Sequence, residues 1–322
     1  MERKPDVDRR ALLAMLRRVL GPELTAARTP AGVATQVYRV QAARGVLYVR
    51  IAEEDHEDLS VDAALLEHLG GLGLRVPQVV HVEPFDQALG RSVLITGEIA
   101  GEPLAGCRDQ RAARRVARAA GRELAVLNDV GVQGFGWVRR QPPAWPLRAT
   151  SRTYAEFVTS YLPNPWPGPF GRLFTVAELE RLWALVDGER RRDLAGATLA
   201  HGDFDTTHIF QVDGHYRGLI DFGEIRGTEP LFDLGHFHLW EHERTPVPLW
   251  DELLAGYGEV ETLPAGHQEL VGRSATLLGL RQLARWLRPP RSLRRDHPAV
   301  TGRVARLRQI LDIPAIDASS RH

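Results

Sequence analysis

Between residues 199 and 233 the chain runs LAHGDFDTTHIFQVDGHYRGLIDFGEIRGTEPLFD. Its reactive side chains fall into three groups: His201-Gly202-Asp203, His208 and Asp221-Phe222-Gly223. The runs 209–212 and 217–220 are strand-like and flank Asp213-Gly214, a dipeptide that favours the tight turn of a hairpin. A hairpin of that length folds back on itself. Asp203, His208 and Asp221 can therefore converge although 18 positions separate the two aspartates. Phosphoryl transfer needs such a set, with one carboxylate beside the attacking hydroxyl and separate oxygen or nitrogen ligands that hold Mg²⁺ against the phosphates.

The elements that must position these groups follow from hydrophobic periodicity. Leu12, Leu13, Leu16, Val19 and Leu20 recur at helical spacing and predict an amphipathic helix over 7–20. Strand-like runs follow at 23–29, 35–42 and 46–52, joined by the small-residue turn 30–34 and by Arg44-Gly45. A helix at 60–69 and strands at 78–83 and 91–98 complete a five-strand, one-helix block that ends at the glycine- and proline-marked connector 97–103. Beyond residue 108 helices dominate, at 109–128, 153–161, 176–191 and several places between 230 and 311. The stretch 141–170 is rich in proline and tryptophan and predicts an ordered insertion. The architecture implied is α+β and bilobal. An N-lobe over 1–97 is joined by a hinge, 98–104, to a helical C-lobe, 105–322, which carries the catalytic loop and the acceptor site.

At the residues that carry the chemistry, the sequence resembles the aminoglycoside phosphotransferase family, small-molecule kinases with the protein-kinase fold. The family's catalytic loop has the form H-G-D-x-x-x-x-N, followed by I-D-F/W-G and then D-P-x-x-D. Here the first runs from His201 through Asp203 to His208, with histidine in place of asparagine, as in some members of the aminoglycoside and macrolide branches. The second, Ile220-Asp221-Phe222-Gly223, is intact, and the third is Glu229-Pro230-Leu231-Phe232-Asp233, with glutamate in place of the first aspartate. A spaced triple motif is specific where any one part would be weak. With the N-lobe order, the resemblance spans almost the whole chain.

The resemblance implies a small N-lobe with a five-stranded antiparallel sheet and one helix over a larger, mainly helical C-lobe. It implies phosphoryl transfer from ATP or GTP, with Mg²⁺, to a hydroxyl of a small molecule, foremost an aminoglycoside-type or macrolide antibiotic. Carried over by position, Asp203 is the catalytic base or hydroxyl-orienting group, and His208 and Asp221 are metal ligands. Glu224, directly after the glycine, is a candidate ligand of a second Mg²⁺. Asp233 braces the catalytic loop, and His201 is a structural hydrogen-bonding residue.

Protein kinases neutralise the nucleotide phosphates with a lysine on the third strand. Lys4 is the only lysine here, and Asn128 and Asn164 are the only asparagines. Arg50, in the third strand-like run, stands where that lysine belongs. Its partner is expected on the next helix. Glu67 lies about 140° round that helix from Asp62 at ~100° per residue, whereas Asp62 shares the inward face with Leu66 and Leu69. The expected pair is Arg50–Asp62, a longer cation matched to a shorter anion. The turn 30–35 would cover the phosphates, and the main chain from Glu98 to Ala100 would read the purine base.

The acceptor leaves conflicting signals. From Glu224 to Glu269 ten acidic residues face two arginines, a local net of −8 that would suit a polycationic acceptor. Trp145, Trp166 and Trp240 would instead line the more apolar pocket that a macrolide wants. From Leu270 onward there are eleven arginines and three aspartates, which read as a solvated basic face. Two other classes compete with an antibiotic kinase: a metabolic kinase of an amino alcohol or sugar, and a nucleotide-binding pseudokinase, against which Asp203 and Asp221 stand. The run His238-Leu239-Trp240-Glu241-His242 matches the zinc-peptidase pattern H-x-x-E-H, but it falls in a helix that the kinase reading already uses.

Composition bounds the rest. A chain of 322 residues, at about 150 per domain, is long enough for two lobes. Forty-one basic residues balance 41 acidic ones, so no global attraction to nucleic acid or an anionic membrane is expected. With Cys107 the single cysteine, an internal disulfide and a cysteine-built zinc site are both excluded. No apolar run reaches 18 residues and no signal peptide is evident, so a cytoplasmic monomer or dimer is expected.

Overall fold

The computed structural model describes residues 6–29, 36–160, 162–289 and 291–312. The N-lobe comprises α1 (Arg9–Leu20), β1 (Leu24–Arg28), β2 (Gln36–Ala42), β3 (Gly45–Ile51), α2 (Ser60–Gly71), β4 (Val79–Asp86) and β5 (Arg91–Gly97). The strands form one antiparallel sheet in the order β1-β2-β3-β5-β4. Asp8 caps α1 by accepting from the Arg10 and Ala11 amides, and the helix sets Leu12, Met15 and Leu16 against Val40, Val49 and Ile95 of the sheet. Helix α2 belongs to a different core. Its Leu65, Leu66 and Leu69 join the apolar interior that continues into the C-lobe, so the element that carries Asp62 is anchored to both lobes.

The C-lobe follows as β6 (Glu102–Pro103), α3 (Gln110–Asn128), β7 (Gly131–Val132), β8 (Phe135–Val138), β9 (Ala149–Ser151), α4 (Tyr154–Thr159), α5 (Val176–Arg190), β10 (Ala197–Ala200), β11 (Ile209–Val212), β12 (His215–Leu219), β13 (Arg226–Thr228), α6 (Phe232–Arg244), α7 (Trp250–Gly258), α8 (His267–Leu287) and α9 (Pro298–Ile310). Strands β7-β10-β13-β8-β9 form one sheet and β12-β11-β6 another. The hairpin β11–β12 closes with Val212 opposite His215. Its second strand starts two residues before 217 because Asp213 and Gly214, both at positive φ, alone make the turn. At Gly101 the connector passes so close to β11 that a Cβ would lie 2.2 Å from the Gln211 carbonyl oxygen. Glycine there lets β6 pair with β11, which clamps the interlobe connector to the hairpin that follows Asp203.

The helix expected over 153–161 spans only Tyr154–Thr159, with Thr153 as its N-cap in a capping box with Glu156. The described residues of the insertion after β8 are packed through its tryptophans. Trp145 lies against His68 of α2, ring centroids 4.4 Å apart, and Trp166 packs on Phe170 and Trp183. Among the described residues, no helix is long and apolar enough to cross a membrane.

Candidate active site

Asp203 lies on the loop between β10 and β11, and three neighbours fix that loop. The first is His201, fully buried, whose Nε2 donates to the Ile220 carbonyl at 2.9 Å while Nδ1 accepts from the Asp203 amide at 3.3 Å. Burial pushes its pKa down, so the ring is neutral and ties the catalytic loop to the strand before Asp221. The second is the buried carboxylate of Asp233 at the start of α6. It accepts from the His201 amide at 2.8 Å, the Gly202 amide at 2.9 Å and Asn128 Nδ2 at 3.0 Å. The third is Gly202 itself, at φ +86, where a Cβ would lie 1.9 Å from the Glu224 carbonyl oxygen. The substitution Gly202→Ala is therefore expected to displace Asp203 and lower turnover by about 10²-fold, the cost of a misplacement on the order of 1 Å. A steady-state assay checks it, and wild-type turnover would show that the loop can yield.

Asp203 faces His236, whose Nε2 stands 3.3 Å from its Oδ1 while Nδ1 donates to the Phe204 carbonyl at 3.0 Å. Burial works to raise the Asp203 pKa, but the hydrogen bond from His236 and the charge of the surrounding histidines outweigh it and hold the carboxyl well below the usual range. His208 donates from Nδ1 to the Asp203 carbonyl at 2.7 Å, which leaves Nε2 aimed at Asp221 Oδ2, 3.8 Å away. Burial lowers the His208 pKa, yet Asp203 and Asp221 raise it further, so a cation bound at Nε2 would compete with protonation there.

Asp221 adopts a left-handed conformation, φ +63, in which Oδ1 accepts from the Gly223 amide and the side chain stays open to the cleft. An oriented imidazole nitrogen and an open carboxylate oxygen facing each other fit one divalent cation. Asp205 is also near, with ligand-type atoms of Asp203, Asp205 and His208 within 4.8 Å of one another. Asp205 is buried, however, and its Oδ1 closes the turn onto the Thr207 amide at 2.6 Å. Of the two carboxylates, Asp221 is the better ligand.

Glu224 is turned toward the other side. Its Oε2 accepts from Trp137 Nε1 at 3.2 Å and from Arg226 at 2.9 Å, which leaves Oε1 as its open oxygen. Arg226 is buried, lies over the Trp137 ring and also donates to the Gly202 carbonyl, so it locks the Glu224 side chain to the catalytic loop.

In the cleft between the lobes, Arg50 reaches Asp62 at 2.9 Å, and Asp62 is 1% exposed. Arg140 binds the same carboxylate through Nε at 2.9 Å and donates from Nη2 to the Gly223 carbonyl at 2.8 Å. Arg140 thus links α2 to the loop after Asp221. The cleft, about 570 Å³, is lined by Tyr48, Arg50, Thr96, Ile99, His208 and Asp221 among others. Glu98 and Ala100 are exposed on either side of Ile99, and Glu98 accepts from the Tyr48 hydroxyl at 3.5 Å. The turn 30–35 lies outside the described residues. Arg50→Ala is expected to raise the nucleotide KM about tenfold or more, the worth of one charge-assisted contact, while Arg140 keeps Asp62 paired and the fold intact. An unchanged KM would remove Arg50 from the phosphate site.

A second cavity of about 300 Å³ opens beyond Asp203 and shares only Asp203 and Glu224 with the first. Its walls include Trp137, Trp240 and Trp286; Trp145 and Trp166, which the sequence offered as lining, sit elsewhere in the insertion. Of the ten acidic residues in 224–269, only Glu224 lines it. Glu229 binds Ser274 and Thr228, Glu252 and Glu259 hold Arg118 of α3, and Glu269 pairs with Arg273. Glu241 accepts from the Leu249 and Trp250 amides at the start of α7, which engages the glutamate of the H-x-x-E-H match; the side chain of His242 is outside the described residues.

Sequence reading missed Arg140, Arg226 and His236. His236 follows Asp233 by three positions on one helix, so its facing the same loop was the one available signal. Arg140 had none, with its partner 78 positions away.

A family model described as the phosphotransferase enzyme family matches residues 25–270. No curated protein matches the chain. Among solved structures, the chain is similar to aminoglycoside phosphotransferase APH(4)-Ia, with a TM-score of 0.68 at 13% identity over 96% of this chain and 100% of that one. It is similar to the amicoumacin kinase hAmiN, with a TM-score of 0.65 at 14% identity over 95% and 94% of the two chains. The macrolide 2'-phosphotransferase MphH from Brachybacterium faecium gives 0.57 at 17% identity over 95% and 99%. Those likenesses establish the protein-kinase-like bilobal fold. With the match running from β1 into α8, the chain belongs to the phosphotransferase enzyme family.

Proposed function

We propose that the chain transfers the terminal phosphoryl group of ATP or GTP, bound with Mg²⁺, to a hydroxyl of a small molecule, with antibiotics as the leading acceptor class. One observation carries this reading: the interlobe cleft and the second cavity meet at Asp203. A donor in one and an acceptor in the other would be joined at the Asp203 carboxylate, with Glu224 beside it. In support, a thermostable mutant of APH(4)-Ia is known with ADP and hygromycin B, and hAmiN with AMP-PNP, Ca²⁺ and Ami.

Each residue then has a physical task. Arg50, steadied by Asp62, neutralises the nucleotide phosphates, and the main chain from Glu98 to Ala100 reads the base. His208 Nε2 and Asp221 Oδ2 hold Mg²⁺, which supplies charge neutralisation across the phosphates when bound. Asp203 accepts a hydrogen bond from the acceptor hydroxyl and aims its oxygen at the terminal phosphorus. So acidic a carboxyl is a weak base, and its value lies in orientation; a loose transition state needs little prior deprotonation. Asp233, His201 and Gly202 hold that aim.

The test is acceptor-dependent ADP or GDP formation with Mg²⁺ across aminoglycosides, macrolides, peptide antibiotics and small hydroxy compounds. Turnover lost in Asp203→Asn supports a kinase and names its acceptor class. Intact nucleotide binding with no transfer to any compound counts against it. A second reading, a metabolic kinase of a small alcohol, is favoured by the size of the acceptor cavity, at the small end for ligand pockets.

A further inference from the structure

The charge of the acceptor cavity is the reverse of what the sequence around it carries. Four arginines line it, Arg226, Arg281, Arg285 and Arg291, against the two carboxylates of Asp203 and Glu224. Both carboxylates already have basic neighbours, Glu224 in Arg226 and Asp203 in His236. Arg281 is also engaged, donating to the Phe157 and Val158 carbonyls and lying over the Phe157 ring. Arg285 and Arg291 differ from the others. Among the described residues neither side chain has a hydrogen bond, an ion pair or a ring contact.

Helix geometry explains why these cations collect there. Leu278, Arg281, Gln282, Arg285 and Trp286 fall at i, i+3, i+4, i+7 and i+8 and share the face of α8 that lines the cavity. Arg291, just past the helix, comes back to the same wall. Two guanidinium groups without partners, beside indole walls in a cavity that ends at Asp203, suit the paired oxygens of a carboxylate or phosphate. A polycation would meet four like charges there, against two carboxylates that already have basic neighbours.

We propose that the acceptor is an alcohol that also carries a carboxylate or phosphate group, with the anion bound by Arg285 and Arg291 and the hydroxyl presented to Asp203. This rests on the phosphotransferase reading above and narrows its substrate. In the transfer, the acceptor oxygen forms a bond to the terminal phosphorus, and the bond from that phosphorus to the bridging oxygen of the nucleoside diphosphate breaks. The hydroxyl proton passes to Asp203 and on to solvent.

The first experiment needs no knowledge of the acceptor. With ADP and Mg²⁺ saturating the nucleotide cleft, citrate, inorganic phosphate and the polycation spermine are titrated while tryptophan fluorescence is followed, since Trp137, Trp240 and Trp286 line the cavity. Citrate or phosphate should bind saturably, at least about tenfold more weakly to the Arg285→Gln/Arg291→Gln variant, the worth of one charge-assisted bond. The two ligands separate a carboxylate site from a phosphate site. Equal affinity in the variant would mean that Arg285 only offsets the negative end of α8, and spermine binding more tightly than either anion would equally overturn the proposal.

The second experiment measures turnover with hydroxy acids paired with their methyl esters, sugar phosphates paired with the free sugars, and an aminoglycoside. The charged member of a pair should be preferred by about tenfold in KM, and the double variant should lose that preference while keeping its nucleotide KM. Arg285→Glu/Arg291→Glu should reverse it. Transfer to the aminoglycoside alone would overturn this proposal and leave the kinase reading standing. Anion binding without any Asp203-dependent transfer would overturn the kinase reading, and the acceptor role with it.

Discussion

Replacing Asp203 with asparagine lowers kcat by about 10²- to 10⁴-fold, the usual contribution of a positioned acid–base group, and leaves ADP affinity near that of the wild type. The side chain is almost isosteric, and its neighbours His201, Asp233 and Gly202 fix the loop through the backbone rather than through the Asp203 carboxylate. What is lost is the anionic acceptor for the substrate hydroxyl. An amide keeps one lone-pair oxygen and sets an NH₂ group toward either the hydroxyl or His236. Steady-state kinetics and calorimetric titration with ADP separate the two effects. Near-normal turnover would remove Asp203 from the chemistry, and a parallel loss of ADP binding would show that its charge organises the nucleotide cleft as well.

The second large effect is on stability. Asp233→Ala leaves three buried donors without their acceptor, the His201 and Gly202 amides and Asn128 Nδ2. Each buried donor left unsatisfied costs roughly 1–3 kcal/mol, and three of them take a large part of the ~5–15 kcal/mol that holds a domain folded. Urea unfolding should show the loss as a lower midpoint at unchanged slope. Turnover should fall with it, because those donors belong to the residues that carry Asp203. Full turnover with only a slight midpoint shift would mean that the loop is held from elsewhere.

The features legible in the sequence share one property: local geometry generates them. Pairing of Arg50 with Asp62 needed only a strand register and the face of one helix, both set by period-2 and period-3.6 patterns. The approach of Asp203, His208 and Asp221 needed only a two-residue turn, because a hairpin returns its ends to each other whatever surrounds it. By contrast, the bracing role of Asp233 was legible only through the resemblance, whose spaced motif runs from 201 to 233.

Tertiary structure decided the rest. A local net of −8 over 224–269 says how many carboxylates there are and nothing of where they point. Packing of α3 on α7, the start of α7 and the Ser274 hydroxyl engage several of them away from the cavity, and four arginines line it instead. Arg140 meets Asp62 across 78 positions because β8 ends beside α2, a juxtaposition that no run of residues encodes by itself. The chain alone determined which groups meet in the cleft, since their spacing along one hairpin and one helix face fixes their meeting. Only the folded lobes determined the charge that lines the second cavity, since helix packing decides which face of α8 looks toward Asp203.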